Sequence, residues 1–306
     1  MFLQASIRRL SLNQLQRNVR MFGNLVSTEE LASNLGKVKV LDGSWHMPNT
    51  NRDPYEEYLA KHIKTAGFFP IDTIKDTSVD LPHMLPAPEV FAKAVGNLGI
   101  SNDDQVVVYD TAGIFSACRV YWTFKAFGHN RVSVLNGGLP AWIKENRPTE
   151  SGNVDIKPVE FKVKPLDESL VRDYKTVLAN AKLAETNPQQ QIQVLDARPK
   201  ARFTGEAPEP RAGLSSGHMP NSISVPFNEV IDPAKGELLD DESLRKLFAS
   251  KNVDLTKPVI TSCGSGITAS ILYLALERAG AKDIAVYDGS WTEYADKKDS
   301  LIIKSG

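Results

Sequence analysis

Lys257-Pro-Val-Ile-Thr-Ser-Cys263-Gly-Ser-Gly-Ile-Thr-Ala-Ser-Ile-Leu-Tyr-Leu-Ala-Leu-Glu-Arg-Ala-Gly280 reads as a strand, a cysteine, a glycine turn and a helix closed by glycine. The apolar run Val259 to Ser262 predicts a short buried strand. Ile267 onward carries helical spacing, and Gly280 is a C-terminal stop. Gly264 and Gly266 are expected to adopt backbone angles that other residues avoid, turning successive N–H groups inward. A helix N-terminus next to a sulfur adds partial positive charge, and such surroundings favour thiolate over thiol. Taken alone, a cysteine at the end of a strand is more often a small core residue. A reactive one must be reachable from solvent.

Working outward, the stretch is one block of a duplicated unit. Val38-Lys-Val-Leu-Asp42 matches Ile192-Gln-Val-Leu-Asp196, and Gln105-Val-Val-Val-Tyr-Asp110 corresponds to the strand ending at Cys263. Lys61-His-Ile-Lys-Thr-Ala-Gly-Phe-Phe-Pro70 resembles Gly217-His-Met-Pro-Asn-Ser-Ile-Ser-Val-Pro226. Gly128-His-Asn-Arg-Val-Ser-Val-Leu-Asn-Gly137 parallels Gly280-Ala-Lys-Asp-Ile-Ala-Val-Tyr-Asp-Gly289. Four blocks keep order and near-constant offset, which means duplicated domains. Within each copy, short β-branched runs alternate with helical stretches, so the expected class is α/β, each domain a mainly parallel sheet flanked by helices. The expected division is residues 23–147, a surface linker over 148–168, and a second domain over 169–306. Asp110 falls where Cys263 stands, so only the second copy offers a nucleophile.

The 306 residues are long enough for two domains. A net charge of −1 gives nucleic acid or an anionic membrane no purchase as a main partner. No apolar run approaches the ~20 residues of a membrane span. Two cysteines cannot make a disulfide framework, which points to a reducing compartment. No Cys/His cluster has metal-ligand spacing.

Residues 1–22 differ from the rest. Arg8, Arg9, Arg17 and Arg20 are interleaved with Phe2, Leu3, Ile7, Leu10 and Leu15, and no acid precedes Glu29. This is the composition of a mitochondrial transit peptide. A second start at Met21 would yield a cytosolic form without it. Ser27-Thr-Glu-Glu30 then predicts a capped helix start.

Several motifs together resemble the rhodanese superfamily of sulfurtransferases, specifically its two-domain mercaptopyruvate branch. They are Asp42-Gly-Ser-Trp45, Pro82-His-Met-Leu-Pro86, Gly137-Gly138 with Trp142, Arg202-Phe-Thr-Gly-Glu-Ala-Pro-Glu-Pro-Arg211, Gly217-His-Met-Pro220, Cys263-Gly-Ser-Gly-Ile-Thr268 and Tyr287-Asp-Gly-Ser-Trp-Thr-Glu293. In that family a basic loop, Cys-Arg-Lys-Gly, marks thiosulfate-preferring members, and Cys-Gly-Ser-Gly marks mercaptopyruvate-preferring ones. This chain has the second form.

The resemblance implies a set of roles. Cys263 attacks the donor sulfur and becomes a persulfide, with pyruvate leaving as its enolate; a thiol or cyanide then takes the sulfur. Amides of Gly264, Ser265, Gly266, Ile267 and Thr268 stabilise the anionic persulfide. Arg202 and Arg211 bind the donor, their guanidinium forks suiting a carboxylate. Ser265, His83 and Asp72 form a proton relay, two of whose members come from the first copy. No cofactor is implied. The implied partners are a small sulfur donor, a thiol acceptor such as thioredoxin or glutathione, and a cysteine desulfurase or sulfur-carrier protein. Without the resemblance, Arg202 and Arg211 would read as surface charges paired with Glu206 and Glu209, and His83 as a structural loop residue.

Departures and rivals complete the picture. Ser270 stands where many relatives carry a second cysteine, Cys118 where they carry proline, and His62-Ile-Lys-Thr65 replaces His-Ile-Pro-Gly. Cys118 reads as a packing residue and His218 as structural. A cysteine phosphatase needs an arginine six residues after the nucleophile, where Ala269 stands. The nearer alternatives are a thiosulfate sulfurtransferase and a sulfur relay serving tRNA thiolation. Basic side chains at Ser265 and Gly266 are expected to move donor preference toward thiosulfate.

Overall fold

The computed structural model of the chain describes residues 22–304, so the basic segment read as a transit peptide lies almost wholly outside the described residues. The rest folds as two sheets of one design. In the first, parallel strands run in the spatial order Leu25–Val26, Val132–Leu135, Val106–Tyr109, Lys39–Asp42, Gly67–Phe68. In the second the order is Val171–Arg172, Ile284–Tyr287, Val259–Ser262, Gln193–Asp196, Ile223–Ser224, again all parallel. The repeat blocks therefore occupy equivalent places. The central strands are buried on both faces, which is why they read as unbroken Val/Ile runs rather than as an alternation.

Helix starts follow the expected chemistry. Ser27 and Glu30 form a reciprocal capping box at the Thr28–Asn34 helix. The Ile267–Ala279 helix instead begins on Gly266 in the left-handed region, with no side chain capping it, so its first amides stay free for another acceptor.

The linker is more integrated than a surface crossing. Thr149–Glu150 pairs antiparallel with His62–Ile63, Phe161 is buried against Phe91, and the amide of Val159 donates to the carbonyl of Gly96. Phe161 and Val159 tie this irregular segment to the first sheet's helices. Among the described residues no helix is long and apolar enough to cross a membrane.

The two halves share one core. The Ala117–Ala126 and Ile267–Ala279 helices pack on each other, and nearly every residue of both is buried. Cys118 is completely enclosed there, and burial pushes its thiol well up, as fits a packing residue. Polar bonds stitch the same seam: Tyr121 donates to Glu277 at 2.6 Å, and the Leu238 amide to Asn136 at 2.9 Å.

Candidate active site

The site lies where the C-terminal ends of the two sheets face each other. Cys263 ends its strand and enters the Gly264–Gly266 turn. The amide of Gly266 donates to Cys263 Sγ at 3.1 Å. Only one of the two glycines takes the unusual angle: Gly266 has φ +83°, whereas Gly264 has no positive φ. Gly264 serves a different need, close approach. A Cβ on it would sit 3.4 Å from Nη2 of Arg202 and 3.9 Å from Nη1 of Arg211. Both arginines therefore converge on the sulfur loop.

A strand-end segment behind the loop holds it in place. The Cys263 amide donates to Ser290 Oγ at 3.2 Å, and the Cys263 carbonyl accepts from Trp291 N–H at 2.9 Å. The Gly264 carbonyl accepts from the Thr292 hydroxyl at 2.6 Å. These residues belong to the Tyr287–Glu293 motif, which the sequence marked without assigning it a task.

The two arginines are not equivalent. Arg202 is tied by Nε and Nη2 to Glu209, whose other oxygen accepts from Arg198 at 2.7 Å. Arg198 is itself buried, bonded to Asp196 and stacked over Trp291 at 4.0 Å. Arg202 is thus paired with Glu209, but in a part-buried cluster and not at the surface, and Glu206 takes no part in an ion pair among the described residues. Arg211 forms no ion pair or hydrogen bond among the described residues. Burial pushes its guanidinium below the usual value, opposed by its proximity to Cys263. It is the uncommitted cation of the site.

Arg211 also walls a cleft of about 370 Å³ with Trp45, His46, Arg52, Asp72 and His83. Asp72 Oδ2 accepts from Trp45 Nε1 at 2.9 Å, and its Oδ1 lies 3.1 Å from Nδ1 of His83, off the line of a good hydrogen bond. Contact with His83 holds the Asp72 carboxyl below its ordinary range. Burial lowers His83 in spite of Asp72, and the charges of Arg119 and Arg211 add to that, so the ring is neutral near pH 7. Trp45 meets it edge-on, with centroids 4.8 Å apart. Of the three expected relay members, Asp72 and His83 come together. Ser265 does not join them: His83 Nε2 has no hydrogen-bond partner, and Ser265 is itself buried.

The expectation of an open thiol is overturned. Cys263 is only 2 % exposed and does not line the cleft. The guanidinium groups of Arg202 and Arg211 lie beside the Gly264 turn that follows it. The sulfur is recessed. Such a site excludes water, which strengthens every charge interaction inside it.

His218 stacks on Phe203 and bonds its carbonyl at 2.8 Å, a structural role as expected. Sequence reasoning missed Arg198, Arg119 and Asp288 as members of the site. Each stood inside or beside a quoted motif, but none carried a spacing signal.

Comparison with known proteins identifies the family of this fold. A family model described as a rhodanese-like domain matches residues 27–145 and again 179–297. Thiosulfate/3-mercaptopyruvate sulfurtransferase 1, mitochondrial, of Arabidopsis thaliana is 42 % identical over 90 % of this chain and 76 % of its own length. Thiosulfate sulfurtransferase of Bos taurus is 43 % identical, covering 90 % of this chain and 92 % of itself. Among solved structures, SseA of Escherichia coli, described as a 3-mercaptopyruvate sulfotransferase, aligns with TM-score 0.77 at 35 % identity. That alignment spans 88 % of this chain and 99 % of SseA.

Proposed function

The chain belongs to the rhodanese-like family of tandem-domain sulfurtransferases, and on that premise we propose that it carries sulfur from 3-mercaptopyruvate through a Cys263 persulfide to a thiol or cyanide, releasing pyruvate. The observation that carries this reading is the convergence at one recessed sulfur of the Gly266 amide and two guanidinium groups.

The Cys263 thiolate attacks the donor's thiol sulfur, an S–S bond forms and the donor's C–S bond breaks. The electron pair of that bond leaves on carbon as the pyruvate enolate, which takes up the proton that the donor's sulfur gives up as the persulfide anion forms. Arg211, with the free edge of Arg202, grips the donor carboxylate. His83, oriented by Asp72, is the proton carrier beside the cleft. Ser265 takes its part in the relay only through a shift of the loop, since no hydrogen bond joins it to His83. Amides from Gly264 to Thr268 hold the persulfide anion, as an oxyanion hole holds oxygen. An acceptor thiolate then attacks the outer sulfur and restores the Cys263 thiolate.

Relatives named for thiosulfate and for both donors are equally similar in sequence, so overall identity does not choose between donors. The uncharged Cys-Gly-Ser-Gly loop favours mercaptopyruvate; thiosulfate is the second reading. The depth of the sulfur favours small acceptors, glutathione or cyanide, over direct attack by a protein thiol such as that of thioredoxin. Relay to a sulfur-carrier protein or from a cysteine desulfurase would need the same opening. We further assign residues 1–22 as a mitochondrial presequence, 23–147 as the non-catalytic domain, 148–168 as the linker and 169–306 as the catalytic domain.

Intact-protein mass spectrometry after mercaptopyruvate tests the reading. Gain of one sulfur atom, localised to Cys263 and matched by pyruvate release, is expected. Sulfur delivery surviving Cys263→Ser would end it.

A further inference from the structure

Arg119 is an almost fully buried cation on the Ala117–Ala126 helix of the first domain, and its guanidinium points across the seam. Its Nη2 donates to the carbonyl of His83 and lies 2.7 Å from Oδ1 of Asp288 in the second domain. Asp288 Oδ2 accepts from the Leu85 amide at 2.8 Å, two residues beyond His83. The guanidinium plane rests on Trp122, 4.6 Å from the ring centroid. Its Nη1 has no hydrogen-bond partner and abuts the sulfur loop: a Cβ on Gly266 would lie 2.6 Å from it. Gly266 is the residue whose amide holds Cys263 Sγ. His83 has φ +62°, a conformation that a non-glycine residue keeps only when its surroundings impose it.

We propose that Arg119 is a positioning residue for sulfur transfer, setting the His83 loop of the first domain against the Cys263–Gly266 loop of the second. The proposal rests on the reading of Cys263 and His83 given above. One rigid fork touches both loops and the carboxylate behind them, so a displacement of either is felt by the other. Trp122 and Asp288 fix the fork itself. Arg119 touches no reacting atom; it acts through His83 and Gly266.

Its charge also has a signature that packing alone lacks. The charged groups facing His83 are Asp72 from the loop after Gly67–Phe68, Arg211 from the loop after Lys200–Thr204, and Arg119 from its helix, with Asp288 behind Arg119. Arg119 and Arg211 disfavour the imidazolium; Asp72 favours it.

The test is single-turnover sulfur loading of the full chain by mercaptopyruvate, read by rapid-quench mass spectrometry between about pH 5 and 9, the range over which a histidine titrates. Arg119→Gln should slow loading by about 30- to 100-fold, the usual result of misplacing a reacting group by an ångström. Donor KM should change little. The limb assigned to His83 should move to higher pH, because a cation pressing on the ring has gone. Arg119→Lys should recover part of the rate and return the limb toward its parental position. A folded Arg119→Gln variant with parental rate and limb would overturn the proposal, as would a lysine variant no better than glutamine. If Arg119→Gln does not fold, Asp288→Asn decides: with Arg119 uncompensated, the limb must move to lower pH, and an unmoved limb rejects the idea. If the parental protein itself loads no sulfur on Cys263, the functional reading fails and this inference with it. If it loads normally while the variants are unaffected, the inference alone fails.

Discussion

Asp110 occupies in the first sheet the place that Cys263 occupies in the second. Its carboxylate accepts four backbone N–H bonds, from Ala112 and Gly113 at one oxygen and from Phe115 and Ala117 at the other, all at 2.9–3.0 Å. The turn after this strand therefore points backbone amides at the strand-end side chain in both copies. In the first, the Asp110 carboxyl fills the cradle, although burial raises its pKa against the four hydrogen bonds; in the second, a sulfur takes that place, one amide already on it. Asp110→Ala would orphan four buried donors, each costing ~1–3 kcal/mol. Loss of roughly 3 kcal/mol or more in urea unfolding is expected, with Asp110→Asn losing clearly less because one oxygen remains. Equal losses for the two variants would show that one remaining acceptor oxygen does not hold the turn.

Asp42 gives a pH dependence of definite sign. It is fully buried, accepts from the Ser44 amide at 2.9 Å, and has its second oxygen unpartnered. Burial raises its pKa from 3.8 to about 6. A carboxyl raised on folding contributes stability that is present below its unfolded pKa and lost as pH rises through about 6. Asp42→Asn removes this penalty. Its stability relative to the parent should increase between about pH 4 and 6 by about 2–3 kcal/mol and then level off. A constant difference across that range would contradict the burial argument.

Arg211 should govern access to the sulfur. Removing an uncommitted side chain costs no hydrogen bond, so Arg211→Ala should leave thermal stability almost unchanged. Alkylation of Cys263 by iodoacetamide should become roughly tenfold faster, while mercaptopyruvate kcat/KM falls by about 10- to 100-fold through loss of a charge-assisted contact. Unchanged alkylation would place the cover elsewhere.

Asp72→Asn should act on His83 in the direction opposite to Arg119→Gln. Asp72 is the neighbour that raises His83, so without it the ring loses its proton at still lower pH. The acid limb of the rate should move acidward, with a drop in kcat of ~10²-fold or more from loss of an oriented proton carrier. A limb that stays put would detach His83 from the profile.

Donor choice can be probed at only one of the two positions the sequence suggested. Gly266 cannot accept a side chain: its φ is +83° and Arg119 lies where a Cβ would go. Ser265 is buried but carries no positive φ, so it is the position to test. Ser265→Lys should raise the thiosulfate-to-mercaptopyruvate activity ratio by about tenfold, since it adds a cation beside a dianionic donor. A ratio that does not move would remove the loop's charge as the basis of preference.

The α/β class, the duplication and the strand–cysteine–turn–helix unit were legible along the chain because they rest on local causes. Buried parallel strands demand continuous β-branched runs, a positive φ calls for glycine, and a repeat betrays itself by order and spacing. The proposed role of Cys263 drew on its position within that unit together with the family resemblance. What the folded molecule alone decided depends on which side chains meet across long separations. Glu209 neutralises Arg202 and leaves Arg211 uncommitted; Asp72 finds His83 while Ser265 does not; Arg119 and Asp288 pair from different domains. The recess of the sulfur is of the same kind, because solvent exposure is a property of everything packed around an atom and has no period in the sequence.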